Sequence, residues 1–225
     1  NPMTRTRTAL LLTLALATTP ALAQQDVSKV NGSVSADAGQ AYGDLSTVNG
    51  GVHLANGARA QDVDTVNGSI DAGDDVSTHD VATVNGSIHF GKRANVAGDV
   101  ETVNGGIFLD RGSRVRGGAR TGNGGIGLVE TQLSGSIETV AGDITVGVGS
   151  RVGGGIRVDK PTGNWNLQIG KQKIPRVVIG PNAVVEGPLV FEREVKLYVH
   201  GSARTGKITG ATAIHWNRRY EPAGI

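Results

Sequence analysis

The sequence predicts an all-β fold, a single-stranded parallel β-solenoid (β-helix) with three sides and about nine coils of 18–19 residues. Three observations predict it. One phrase recurs as Val30-Asn31-Gly32-Ser33-Val34, Thr47-Val48-Asn49-Gly50-Gly51-Val52, Thr65-Val66-Asn67-Gly68-Ser69-Ile70, Thr83-Val84-Asn85-Gly86-Ser87-Ile88 and Thr102-Val103-Asn104-Gly105-Gly106-Ile107. Worn copies follow at Thr121 to Ile126 and Thr139 to Ile144, always after 18 or 19 residues, and so short a fixed period marks a solenoid. Apolar residues then alternate with polar ones between the bends, as in Ala94, Val96, Gly98 and Val100, the period-two pattern of strands with one face buried. Finally, each repeat is too small to cover its own apolar face, so stacking it on the next copy is what buries it.

Within the repeat, apolar residues stand four and one before the Asn (Val81 and Val84) and three and five after it (Ile88 and Phe90). All four positions are expected to face the core. Asn-Gly is expected to turn the corner through a positive φ. A connection between parallel neighbours winds right-handed by preference. The six-residue spacing of Ile179, Val185, Phe191 and Leu197 matches left-handed hexapeptide helices instead, so both hands stay open.

Taken in order, residues 1–23 read as a secretory signal peptide. Arg5 and Arg7 lead into the apolar run Ala9 to Ala17, and Ala21-Leu22-Ala23 ends it; Asn1-Pro2 precede the Met and are set aside. The run falls short of the roughly 20 residues that span a bilayer. No later stretch is apolar enough, so no transmembrane segment is expected. Residues 24–159 are the regular coils. Residues 160–216 are irregular coils and a cap: the period breaks at Asp159-Lys160-Pro161, Asn164 to Ile169 gives the next comparable phrase, and Trp165, Phe191, Tyr198 and Trp216 suit a cap. Residues 217–225 form a tail.

Glycine is abundant (35 residues), aromatics make up 4% and cysteine is absent, which fits a thin aliphatic core without disulfides or thiolate metal sites. Charge is divided along the chain. Residues 24–150 hold 8 Lys/Arg against 15 Asp/Glu, and residues 151–225 hold 12 against 5. A near-neutral rod with opposite ends can associate head to tail. The same balance gives no nucleic-acid signal.

The phrase Gly98-Asp-Val-Glu-Thr-Val-Asn-Gly-Gly-Ile107, repeated behind a signal peptide, resembles the adhesin-type β-strand-repeat proteins of bacteria. It is similar, more distantly, to the polymer-forming bactofilins, which are cytoplasmic. The resemblance covers roughly residues 26–210 and implies an exported β-solenoid acting in surface attachment.

The Asn column (Asn31, Asn49, Asn67, Asn85, Asn104, Asn123) is read as a structural ladder whose amides bond coil to coil. If the Thr column beside it (Thr47 to Thr139) also faces outward, Thr-x-Asn becomes a flat array like those of ice-binding solenoids. His53, Asp71 and His89 stand four after their Asn and should stack about 4.8 Å apart, near enough to share a divalent metal. Asp71, Asp74, Asp75, His79 and Asp80 form an acidic run that could hold a cation at a corner. Catalytic signatures such as Gly-x-Ser-x-Gly or paired metal-protease histidines are absent from the sequence, and no cofactor is expected. The expected function is non-enzymatic: an adhesin-like or scaffolding protein of the bacterial cell envelope, exported to the periplasm or cell surface, with an envelope glycan or surface protein as partner. The alternatives are a polysaccharide-binding or carbohydrate-active β-helix protein and a self-assembling filament subunit.

Overall fold

The structure is a computed structural model that describes residues 24–161 and 173–217. Residues 1–23, where a signal peptide is expected, the Asn164–Ile169 phrase with Trp165, and residues 218–225 lie outside the described residues. All described elements are strands, and they stack into a β-solenoid of ten turns built from three parallel sheets.

The first sheet has ten strands, one per coil: Gln25–Asn31, Tyr42–Asn49, Val63–Asn67, Val81–Asn85, Val100–Asn104, Ala119–Asn123, Ile137–Thr139, Ile156–Val158, Leu189–Phe191 and Ile208–Thr209. The second also has ten, from Val34–Ala36 to Ala213–Trp216. The third has seven two-residue strands, from Ser77–Thr78 to Arg204–Thr205. Registers follow the repeat, so Thr83 pairs with Thr65 and Thr102, and Asn85 with Asn67 and Asn104. Ten coils rather than nine result because Ile208–Thr209 pairs with Leu189–Phe191 and Ala213–Trp216 with Lys196–His200, which adds one more turn. At about 4.8 Å per coil the rod is about 48 Å long.

The core holds the residues four before the Asn (Leu45, Val63, Val81, Val100), three and five after it (Ile70 and Ala72; Ile107 and Leu109), and the Ala94/Val96 pair with its counterparts. The valine one before the Asn is not among them. Val48, Val66, Val84 and Val103 are 40–50% exposed and Val30 67%. Their inside places are taken by Thr47, Thr65, Thr83, Thr102, Thr121 and Thr139, each at most 5% exposed. Strand geometry explains the reversal: successive side chains alternate between faces, so positions three apart cannot both point inward. The buried hydroxyl is satisfied because Thr83 Oγ1 donates to the Gly68 carbonyl at 2.9 Å, and Thr47, Thr65, Thr102 and Thr121 do the same to Gly32, Gly50, Gly86 and Gly105.

Corner glycines serve a purpose other than the expected one. Among the corners of the recurring Val-Asn-Gly phrase only Gly32 has a positive φ, of 102°. At Gly86 a Cβ would lie 2.0 Å from the Gly68 carbonyl oxygen, so closeness of the stacked backbones excludes any side chain. Positive φ is found at the corner between the second and third sheets, in the column Gly39, Gly57, Asp75, Arg93, Gly112, Glu130, Gly149, Asn182. Of the expected cap aromatics, Phe191 is buried in the core, in register with Val158. Tyr198 faces outward on the second sheet, and Trp216 packs edge-on against His200 with ring centroids 4.5 Å apart.

Candidate functional site

Three outer features carry chemistry, one per corner or face. The first is the outward side of the first sheet. Alternation leaves two columns there: Ser28, Ser46, Asp64, Ala82, Glu101, Arg120, Glu138, Arg157, and beside it Val30, Val48, Val66, Val84, Val103, Gly122, Val140, Asp159. Between them runs a shallow, mainly apolar groove of about 760 Å³ over the first eight coils. Arg120 bridges Glu101 at 2.6 Å and Glu138 at 2.9 Å, and Arg157 holds Asp159 and Glu192. The Asp64 carboxylate has neither ion pair nor hydrogen bond among the described residues. Partial burial, with Asp62, Asp44 and Asp80 nearby, pushes its pKa above the ordinary carboxylate value.

The Asn column edges this face. Each Nδ2 donates to the Oδ1 of the preceding coil: Asn49 to Asn31, Asn67 to Asn49, Asn85 to Asn67, Asn104 to Asn85 and Asn123 to Asn104, all at 2.9–3.0 Å. Every rung leaves one N–H and one oxygen lone pair toward solvent. Because Thr faces inward, the flat Thr-x-Asn array does not form.

The second feature is a column that sequence reading missed: Asp26, Asp44, Asp62, Asp80 and Asp99, each five before its Asn. Each carboxylate accepts the backbone N–H one coil on, from Asp44, Asp62, Asp80, Asp99 and Gly118, at 2.6–3.2 Å. Accepting those bonds lets carboxylates stack in register. His79 Nδ1 lies 3.0 Å from Asp62 and 3.3 Å from Asp80, and the Asp62 hydrogen bond, then the Asp80 charge, raise its pKa above the ordinary histidine value. The ligand atoms of Asp62, His79 and Asp80 lie within 4.8 Å of one another, a set able to hold a small cation. The acidic run read from sequence is split among corners: Asp74 caps the Lys92 N–H at 2.8 Å and Asp75 pairs with Arg93 at 2.6 Å.

His53, Asp71 and His89 do stack in register on the outer side of the second sheet, all exposed. Their ligand atoms are not brought together; the group that is so placed among the described residues is the Asp62 set, and the His89 ring lies against Phe108 with centroids 5.0 Å apart.

Further along the second sheet lies the third feature, an apolar basin of about 1150 Å³. Small residues floor it (Gly127, Thr145, Gly147, Gly180), because the outward columns run Phe108–Gly127–Thr145–Val178 and two residues on. Phe108 walls one end, His200 and Trp216 the other. Among the described residues the buried Trp216 Nε1 has no hydrogen-bond partner, and a donor left unsatisfied costs about 1–3 kcal/mol. No carboxylate among the described residues lines the basin. Among the described residues no helix is long and apolar enough to cross a membrane. Compared with known proteins, the chain matches no family model, no curated protein and no solved structure.

Proposed function

We propose that this chain is a non-enzymatic, exported β-solenoid that acts as an adhesin-like or scaffolding protein of the bacterial cell envelope. The observation that carries this reading is the outer face of the first sheet. It presents the same valine and amide every coil, about 4.8 Å apart, from the first coil to the fifth. Such a surface suits many weak, repeated contacts whose strength comes from number, and the rigid stack keeps them in line. The carboxylates of the Asp column are engaged in the architecture, since each caps a backbone N–H group. Export rests on the basic, apolar and Ala-x-Ala order of residues 1–23.

A second reading, binding of an envelope polysaccharide, is favoured by the basin on the second sheet. Its aromatic walls offer ring faces to the C–H faces of sugars. The experiment is retention of the purified chain on isolated envelope fractions and on a glycan panel, beside Phe108→Ala and Trp216→Ala. Retention of the chain on envelope material supports the adhesive reading. Loss of that retention in both variants assigns it to the basin, and no retention of the chain on any fraction refutes both readings.

A further inference from the structure

We infer that the valine-lined face of the first sheet is a self-association surface on which a second copy of this chain lies antiparallel. Five valines in consecutive coils, Val30 to Val103, stay 40–67% exposed in one line, and an apolar strip this long is otherwise rare on a free soluble surface. The groove spans eight coils, about 38 Å, and is bordered by columns two residues apart along the strand. Covering so narrow a strip on both copies gives an interface below about 1,200 Å², the range of weak, transient contacts.

Charge and geometry select the arrangement. If a two-fold axis runs along the rod, the charged column of each copy meets the valines of the other and Arg120 and Glu138 lose water against methyl groups. If the axis runs along the strand direction, each column meets itself with coil order reversed. An axis through the fifth coil sets Glu101 against Glu101 and Asp64 against Glu138; one through the fourth sets Asp64 against Glu101. An axis midway between the fourth and fifth coils brings no like charges together. It places Asp64, which has no partner among the described residues, opposite Arg120 of the second copy. It also sets Val84 opposite Val103, Val48 opposite Val140, and Val66 opposite Gly122, where the missing side chain leaves room. This placement is centred on the groove and covers all of it; sliding one coil onward keeps charges matched but moves Val30 and Val48 off the opposing groove.

The test has two arms. Sedimentation equilibrium of the purified chain is expected to show a mass rising from monomer toward dimer between about 5 and 200 μM, the range of so small an interface. Asp64→Lys, which removes no side-chain bond among the described residues, is expected to weaken the dimer at least tenfold by meeting Arg120. Because the chain has no cysteine, Val48→Cys and Val140→Cys chains can be mixed and treated with a short bis-maleimide, which spans the roughly 10 Å between sheets packed face to face; a cross-link between the two variants is expected, with little from either alone. A monomer over the whole concentration range, an unchanged dimer in Asp64→Lys, or equal cross-linking of Val48→Cys with itself overturns the inference. The dimer competes with the adhesive contacts for the same valines, yet the outcomes are distinguishable: a monomer that binds envelope material removes the dimer alone, and a dimer that binds nothing removes adhesion alone.

Discussion

Exchanging the neighbours Thr83 and Val84 tests which face of the strand is inside. Thr83 is 4% exposed and donates to the Gly68 carbonyl at 2.9 Å, whereas Val84 is 40% exposed. Thr83→Val keeps the shape but removes the donor from a carbonyl at the corner, which costs about 1–2 kcal/mol. Val84→Thr changes an exposed methyl to a hydroxyl and stays within about 0.5 kcal/mol. With a urea slope of about 3 kcal/mol/M, Thr83→Val should lower the unfolding midpoint by about 0.5 M while Val84→Thr leaves it within about 0.2 M. Circular dichroism at increasing urea reads both midpoints. A hydropathy argument predicts the reverse, since it prefers valine inside. If Thr83→Val proves the more stable chain and Val84→Thr the weaker, the assignment of faces is wrong.

Other perturbations follow from the ladders. Asn85→Ala removes the bonds to Asn67 and from Asn104, both solvent-exposed, and should cost about 1–2 kcal/mol in the same assay. Gly86→Ala forces a methyl to 2.0 Å from the Gly68 oxygen, so it should destabilise by more than about 2 kcal/mol or prevent folding, read by the yield of folded protein and its midpoint. Asp64 has a raised pKa in the folded chain, so its ionised form opposes folding at neutral pH and that opposition fades as pH falls through the carboxylate range. Asp64→Asn should therefore be more stable than the parent at pH 7, with the gain vanishing toward pH 3–4, about the carboxylate's ordinary value. His79 has the opposite sense: its raised pKa favours the fold below about pH 6.5 and the benefit is lost as pH rises through the folded value. An NMR titration should place His79 above the ordinary histidine pKa, and Asp62→Asn should bring it down.

The stacking was legible in the sequence because identical phrases 18 or 19 residues apart become direct neighbours, and nothing else buries Ile70, Ile88 and Ile107 together. The side each residue faces was also legible, from a rule stronger than hydropathy. Val81 and Val84 are three apart, so a strand must turn them opposite ways, and Thr83 shares the inner side with Val81. Valine's greater hydrophobicity obscured this, because a buried threonine is costly unless its hydroxyl is bonded, and the bond goes to a glycine in another coil. The Asp column was visible by spacing alone, at Asp26, Asp44, Asp62, Asp80 and Asp99. Its capping role was not, since each carboxylate bonds an N–H eighteen or nineteen residues away. The basin was beyond reach because its floor and walls come from coils on either side of the insertion after Pro161, where the period is lost.

The central claim is that residues one repeat apart lie side by side, and engineered disulfides measure this directly. Val66→Cys with Val84→Cys in one chain places two Cα atoms about 4.8 Å apart, within disulfide reach, whereas Val66→Cys with Val103→Cys, two coils away, places them about 9.6 Å apart. Under dilute oxidation the first pair should close an intrachain disulfide, seen as loss of both thiols without change of mass beyond two hydrogens, and the second pair should keep its thiols. Closure of the second pair in preference to the first, or of neither, would contradict the stacked repeat.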